Sequence, residues 1–459
     1  VPTIRSINPA TGAELGVFEE DDDSAVEAKL AAASAAVPAL AEAGWEARAT
    51  WMRAAADLLD AEAEEVAAAV TAEMGKPIAQ ARQEVAKSAR AMRFYADNAE
   101  GFLAPRWLDD PGAVGASSAG ARYEPLGVVL AVMPWNYPIW QVVRFAAPAL
   151  MAGNAGLLKH ASIVPKSALY LGELFTRAGF PAGSFATLLV GSSRVEAVVR
   201  DPRIAAVTLT GSEGAGRAVA RAAGDVLKKV VLELGGSDPF IVMPSADLDA
   251  AVSTAVSART SNNGQACINA KRFIVHEEVY DAFAAAFAER MSALVLGDPA
   301  DESTQIGPLA SESGRRDIEE LVDDARARGA DILAGGERAE GDGWFYPPTV
   351  VAGITPEMRL FAEEAFGPVA SLYRVSSLDD ALEIANVLDF GLGSAFWSRD
   401  AAEIDAAIGG IESGAVFING MTISYPELPF GGIKRSGFGR ELSAEGIREF
   451  CNLKTVWVA

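Results

Sequence analysis

Over the first hundred residues, apolar positions recur at helical spacing in alanine-rich segments, roughly 24–42, 46–74 and 77–100. Ser24-Ala25-Val26-Glu27 has capping-box form, Gly75 is placed like a C-terminal stop, and Pro77 stands where the next helix would open. These segments carry no obvious reactive constellation and read as scaffold. From about Tyr123 the pattern changes to short apolar runs alternating with helices. Gly127–Met133, Ala155–Leu158, Ala186–Val190, Ala205–Leu209 and Val230–Leu232 read as buried strands, with helices over Pro165–Ala178, Ser193–Arg200 and Gly214–Ala223 between them. Such alternation predicts a parallel sheet covered on both faces, which binds nucleotides at the carboxyl ends of its strands. A second alternating block follows Leu234-Gly235-Gly236. Its strands are expected at Phe240–Met243, Arg272–His276, Ser394–Trp397 and Ala415–Ile418, and its long helices at Tyr280–Leu294 and Arg315–Arg328. The tail, Lys454 to Val458, is strand-like with no obvious partner nearby, which points to pairing with another chain.

At 459 residues the chain is too long for one compact core, and two or three domains are expected. Its formal net charge of -23 argues against binding nucleic acid or an anionic membrane. The N-terminus lacks a signal pattern, and the most apolar stretch, Gly127–Met133, is strand-sized, so no membrane span is expected. The expectation is a soluble cytoplasmic protein. Only Cys267, Cys451, His160 and His276 represent their residue types. That leaves few bases for a Ser-His-Asp relay and too few ligands at metal-binding spacing for a zinc cluster, so no metal is expected. A cysteine nucleophile served by a carboxylate base remains open, beside the plain alternative of a small buried residue.

Cys267 follows a glycine-containing turn, Asn262-Asn263-Gly264-Gln265-Ala266, which itself follows a helix-like run from Asp247 to Arg259. Thr210-Gly211-Ser212 ends a predicted strand and opens a helix, where amides and the helix dipole suit a phosphate, although the standard dinucleotide glycine spacing is missing. Lys159 to Ser162 offer a cation and a hydroxyl after a strand where an acid commonly meets the NAD ribose, compatible with a 2′-phosphate or with a solvated strand end. Glu233 interrupts an apolar run. It suits a general base with raised pKa, or else an ion pair. Asn136, between Pro134 and Pro138, could donate to a developing oxyanion or simply occupy a turn.

The ordered set Pro134-Trp135-Asn136, Lys159 to Ser162, Thr210-Gly211-Ser212, Glu233-Leu234-Gly235-Gly236, Asn263 to Cys267 and Glu364-Ala365-Phe366-Gly367-Pro368 resembles the aldehyde dehydrogenase superfamily, from Asn8 to Val456. Trp140 to Phe145, Tyr425 to Gly432 and Lys434 to Leu442 make the likeness greatest to its bacterial NADP-dependent succinate-semialdehyde dehydrogenases. The resemblance implies an α/β fold with a Rossmann-type cofactor domain (1–108 and 126–234), an α/β catalytic domain (235–436) and a small β oligomerisation arm (109–125 and 437–459), assembled as a homodimer or homotetramer. It also implies the chemistry. Cys267 attacks the aldehyde, Asn136 and the Cys267 backbone N–H hold the oxyanion, and Glu233 activates water to release the acid. Lys159 and Ser162 would bind the adenosine ribose and its 2′-phosphate, Ser212 the pyrophosphate and Glu364 the nicotinamide ribose. Trp135 and Phe366 would lie beside the cofactor, and Arg144 with Ser424 would hold the far carboxylate of the substrate. Ser162, at a position often acidic in NAD-preferring relatives, favours NADP with NAD possible. Ile268 and Asn269 leave no second cysteine beside Cys267 for a local redox switch. Competing expectations are another semialdehyde or an aliphatic aldehyde, an acyl transferase or thioester hydrolase, and a binding protein that keeps the fold. Glu233 speaks against transfer to CoA, and the intact Cys267, Glu233 and Asn136 against a non-catalytic role.

Overall fold

The computed structural model describes residues 2–459. Two sheets with helices on their faces dominate it, and the buried runs of the sequence form their strands. In the first sheet, Lys229–Glu233, Ile204–Thr210, Val128–Met133, Ala155–His160 and Phe185–Thr187 lie side by side and parallel in that order. The chain leaves the central strand, Val128–Met133, builds outward on one side through Ala155–His160, and then returns to the other side at Ile204–Thr210. That reversal opens a crevice beyond the carboxyl ends of Val128–Met133 and Ile204–Thr210, where an open α/β sheet receives its ligand. Gly437–Phe438 adds an antiparallel edge strand beside Lys229–Glu233.

The second sheet has the order Asp331–Ala334, Thr349–Ala352, Val369–Val375, Ala270–His276, Asp238–Val242, Ala395–Trp397 and Phe417–Ile418, with only its first pairing antiparallel. The chain crosses from one sheet to the other between Glu233 and Asp238. Fully buried Phe240, Phe273, Phe283 and Phe287 pack the face covered by the helices Leu248–Thr260 and Glu277–Ser292.

Several expectations need correction. The first helix, Asp23–Glu42, is capped by Asp22, whose carboxylate accepts from the Ala25 N–H at 2.8 Å, so Ser24 lies inside the first turn. Alanine makes this helix long and apolar enough to cross a membrane by length and composition. In the fold its Val26, Leu30, Ala33 and Leu40 join the first core. The segment 46–74 is two helices, Gly44–Ala61 and Ala63–Met74, parted at Glu62. Gly75 does close the second, in the left-handed conformation. The strand expected to end at Leu158 continues through Lys159 and His160, because backbone pairing with Val132 and Met133 outlasts the apolar run. The tail has a partner in its own chain: Cys451–Val458 pairs antiparallel with Ser118–Pro125 along its whole length. The partner went unseen because its sequence, Ser-Ala-Gly-Ala-Arg-Tyr-Glu-Pro, has no apolar periodicity. Arg106–Trp107 lines its other side.

Candidate active site

The turn before Cys267 is built from left-handed residues. Asn262 (φ 55°), Asn263 (φ 57°) and Gly264 (φ 75°) follow one another at the end of the helix Leu248–Thr260. Asparagine tolerates this region and glycine occupies it freely. At Gly264 no other residue fits, since a Cβ there would stand 2.3 Å from the carbonyl carbon of Gly367. Side-chain amides fix the turn from outside. Asn262 donates to the Asn136 carbonyl at 2.7 Å, and Asn263 to the carbonyls of Gly75 and Pro308 at 2.8 and 2.9 Å. The fully buried Arg259 reaches the carbonyls of Gly264, Ala270 and Ala365, which ties the nucleophile turn to the 364–368 loop. Lys271 donates to the carbonyls of Ala266 and Cys267 and pairs with Glu364 at 3.2 Å.

Cys267 stands where two cavities meet. The larger, about 290 Å³, lies over the crevice of the first sheet, and Trp135, Asn136, Ser212, Glu364, Phe366 and Cys267 are among the residues that line it. Trp135 and Phe366 meet edge to face, ring centres 5.8 Å apart. Ser212 caps the helix Glu213–Asp225 through the Ala215 N–H, so the helix N-terminus opens here. The smaller cavity, about 170 Å³, is lined by Asn136, Trp140, Arg144, Cys267, Ser424 and Phe430, among others. Lys159 and Ser162 lie outside both linings. Lys159, largely buried near the end of Ala155–His160, has its ammonium pKa lowered by burial, and Ser162 is exposed just beyond.

Asn136 is buried. One amide N–H donates to the Gln265 carbonyl at 2.9 Å, and the second is left for another acceptor. Cys267 is a free thiol, as is Cys451, and burial pushes its pKa up to about 12 against the opposing pull of Lys271 and Arg144. Glu233, at the end of Lys229–Glu233, is 1% exposed with neither carboxylate oxygen hydrogen-bonded. Its pKa stands well above the usual carboxylate range, chiefly from burial and then from the neighbouring Glu441. Arg144 and Arg440 oppose that rise from a distance, and no salt bridge to Glu233 forms among the described residues.

Arg144 lines the smaller cavity but is not free within it. Its Nε lies 2.5 Å from a carboxylate oxygen of the buried Glu441, and its guanidinium packs over the Phe430 ring. Sequence reasoning quoted Glu441 only as part of a motif. It also passed over Lys87, which lines the same cavity from the helix Ile78–Phe102 and donates to Ser424 at 2.9 Å. The one available signal was a lysine on the buried side of an alanine-rich helix. The same helix sets the next one: Glu84, paired with the buried Lys76, accepts from the N–H groups of Ile139 and Trp140 at the start of Trp140–Met151.

Glu233 lies outside both linings, directly before Leu234 and Gly235 of the larger one, whereas Asn136 lines both cavities with Cys267. A half-buried free thiol beside an amide donor, with an unpaired buried carboxylate just behind the cavity wall, can support acyl chemistry through a covalent thioester. Known proteins are similar to this one along nearly the whole chain. The aldehyde dehydrogenase family profile covers residues 2–456, and the chain belongs to that family. An NADP(+)-dependent succinate-semialdehyde dehydrogenase of Mycobacterium ulcerans is 60% identical over 99% of both chains, and one of Mycolicibacterium paratuberculosis is 60% identical over 99% of this chain and 96% of its own. The crystal structure of the succinic semialdehyde dehydrogenase of Streptococcus pyogenes, in complex with NADP+, superimposes with a TM-score of 0.96 at 37% identity, covering 99% of each chain.

Proposed function

We propose that this protein oxidises succinate semialdehyde to succinate with NADP as the preferred acceptor, NAD being usable. The observation that carries the reading is the position of Cys267 at the junction of two cavities, one suited to a nicotinamide nucleotide and the other carrying cations. The named relatives act on this substrate with this cofactor. The larger cavity suits the nucleotide: the helix N-terminus at Ser212 suits the pyrophosphate, and the Glu364 carboxylate a ribose hydroxyl. Lys159 and Ser162 would take the adenosine ribose and its 2′-phosphate. Bound NADP would supply the hydride acceptor.

The chain's own residues do the rest. The Cys267 thiolate attacks the aldehyde carbon. The spare N–H of Asn136 and the backbone N–H of Cys267 hold the oxyanion, whose collapse expels hydride and leaves a thioester. Glu233 takes a proton from the water that cleaves that thioester. Arg144 and Ser424 wall the far end, where the substrate's carboxylate would lie. The arm 109–125 and 437–459 is read as the oligomerisation arm of a homodimer or homotetramer, beside a cofactor domain of 1–108 and 126–234 and a catalytic domain of 235–436. Support comes from Cys451–Val458, which ends its sheet with one unpaired edge and exposed Leu453 and Trp457. A free-thiol nucleophile suits the reducing cytoplasm.

The test is the initial rate of reduced-nicotinamide formation from succinate semialdehyde with NADP and with NAD, on wild type and Cys267→Ala. Faster turnover with NADP that vanishes in Cys267→Ala is expected. A preference for NAD would refute the cofactor assignment alone. Activity on propanal without activity on the semialdehyde would refute the substrate.

A further inference from the structure

The helix Ile78–Phe102 brings Lys87 to the wall of the smaller cavity, and the surroundings of its ammonium are unusual. It donates to Ser424 Oγ at 2.9 Å and lies 4.2 Å from the centre of the Trp140 ring. The nearby carboxylates are engaged elsewhere: Glu84 with Lys76, Glu427 with Arg90 and Glu441 with Arg144. Arg144 faces Glu441, whereas Lys87 has no carboxylate within salt-bridge distance among the described residues. Burial lowers the Lys87 pKa to about 7, with Arg144 adding to the fall, as for a cation short of a counter-ion.

Ser424 completes the arrangement. Its oxygen accepts from Lys87 Nζ and also from Trp140 Nε1 at 3.1 Å. Those donors occupy both lone pairs, so the hydroxyl hydrogen must point to another acceptor. The ammonium likewise keeps N–H donors beyond the one given to Ser424. Donors without an acceptor, backed by an indole and facing the cavity that contains Cys267, are complementary to an anion.

We infer that Lys87, held on Ser424, is the residue that makes this site select an aldehyde bearing a far carboxylate over an uncharged one. The inference rests on the substrate reading above and deepens it. Lys87 supplies an ammonium without a counter-ion of its own, which a bound carboxylate would hold protonated, Ser424 a directed O–H donor, and Arg144, paired with Glu441, a polar wall.

The experiment compares kcat/KM for succinate semialdehyde and for butanal in wild type, Lys87→Met and Lys87→Arg. Methionine keeps the length of the side chain and removes the charge, and butanal in the same variant controls for damage to the fold. The ratio of the two specificities is expected to fall about 30-fold in Lys87→Met, the loss of one charge-assisted contact, and to recover in part in Lys87→Arg. A ratio unchanged in Lys87→Met, while wild type still favours the semialdehyde, would overturn the role of Lys87 and leave the substrate reading standing. No preference for the semialdehyde in wild type would overturn both.

Discussion

Gly264→Ala tests how the nucleophile is positioned. At φ 75° an alanine is strained by about 1–2 kcal/mol. Its methyl would also meet the carbonyl carbon and oxygen of Gly367 at 2.3 Å and the nitrogen of Pro368 at 2.5 Å. These are backbone atoms, so no rotamer can relieve the overlap, and forced overpacking of this kind costs about 1–3 kcal/mol. The destabilisation is then about 2–5 kcal/mol, which in a chain of this length should lower the melting temperature by roughly 2–5 °C. The strain falls between the Cys267 turn and the loop carrying Glu364 and Phe366, which Arg259 clamps together. A shift of an ångström between reacting groups costs about 100-fold in rate, so kcat should fall even in the fraction that stays folded. Gly329→Ala provides the control, because φ is 92° there and an added Cβ meets nothing within 4 Å. It carries the backbone strain without the collision and lies away from the site. Calorimetry and steady-state rates on both variants decide the matter. Equal melting temperatures and equal kcat in the two would refute the argument that close approach at Gly264 sets the position of the thiol.

Two further outcomes follow from the buried groups. Glu233→Gln should release about one equivalent of reduced nicotinamide per site in a rapid burst and then turn over about 100- to 10,000-fold more slowly, as stopped-flow absorbance would register; a single slow phase with no burst would place Glu233 in an earlier step. Cys267, with its pKa near 12, is protonated at pH 8 without cofactor, so iodoacetamide should label it about 1,000-fold more slowly than a free thiol, with a rate that climbs tenfold per pH unit up to that pKa. Labelling at the rate of an ordinary cysteine, followed by mass spectrometry, would contradict that picture.

Much of this was legible before folding. Val128–Met133 is a continuous apolar run and Ile204–Thr210 a nearly apolar one because both faces of their sheet are covered, and that pattern survives in one dimension. Cys267, Glu233 and Asn136 were each a weak local signal (a lone thiol behind a glycine-containing turn, an acid in an apolar strand, an amide between prolines), and their order along the chain with the other motifs, as in the aldehyde dehydrogenases, is what singled them out. The unread parts depend on distant segments meeting. Nothing near Lys87 foretells that Ser424 and Trp140 will surround its ammonium, and nothing near Arg144 announces Glu441. Ser118–Pro125 is a strand only because Cys451–Val458 lies beside it.

The edge strand Gly437–Phe438 has a consequence for the order of assembly. It closes the side of the first sheet that carries Glu233, yet it is translated about 200 residues after that strand. On the ribosome, Lys229–Glu233 therefore waits as an open edge through the synthesis of the whole second sheet. During that interval it can pair with the wrong chain, and slowed elongation or a shortage of chaperones should reduce the yield of folded protein before it affects any property of the finished molecule.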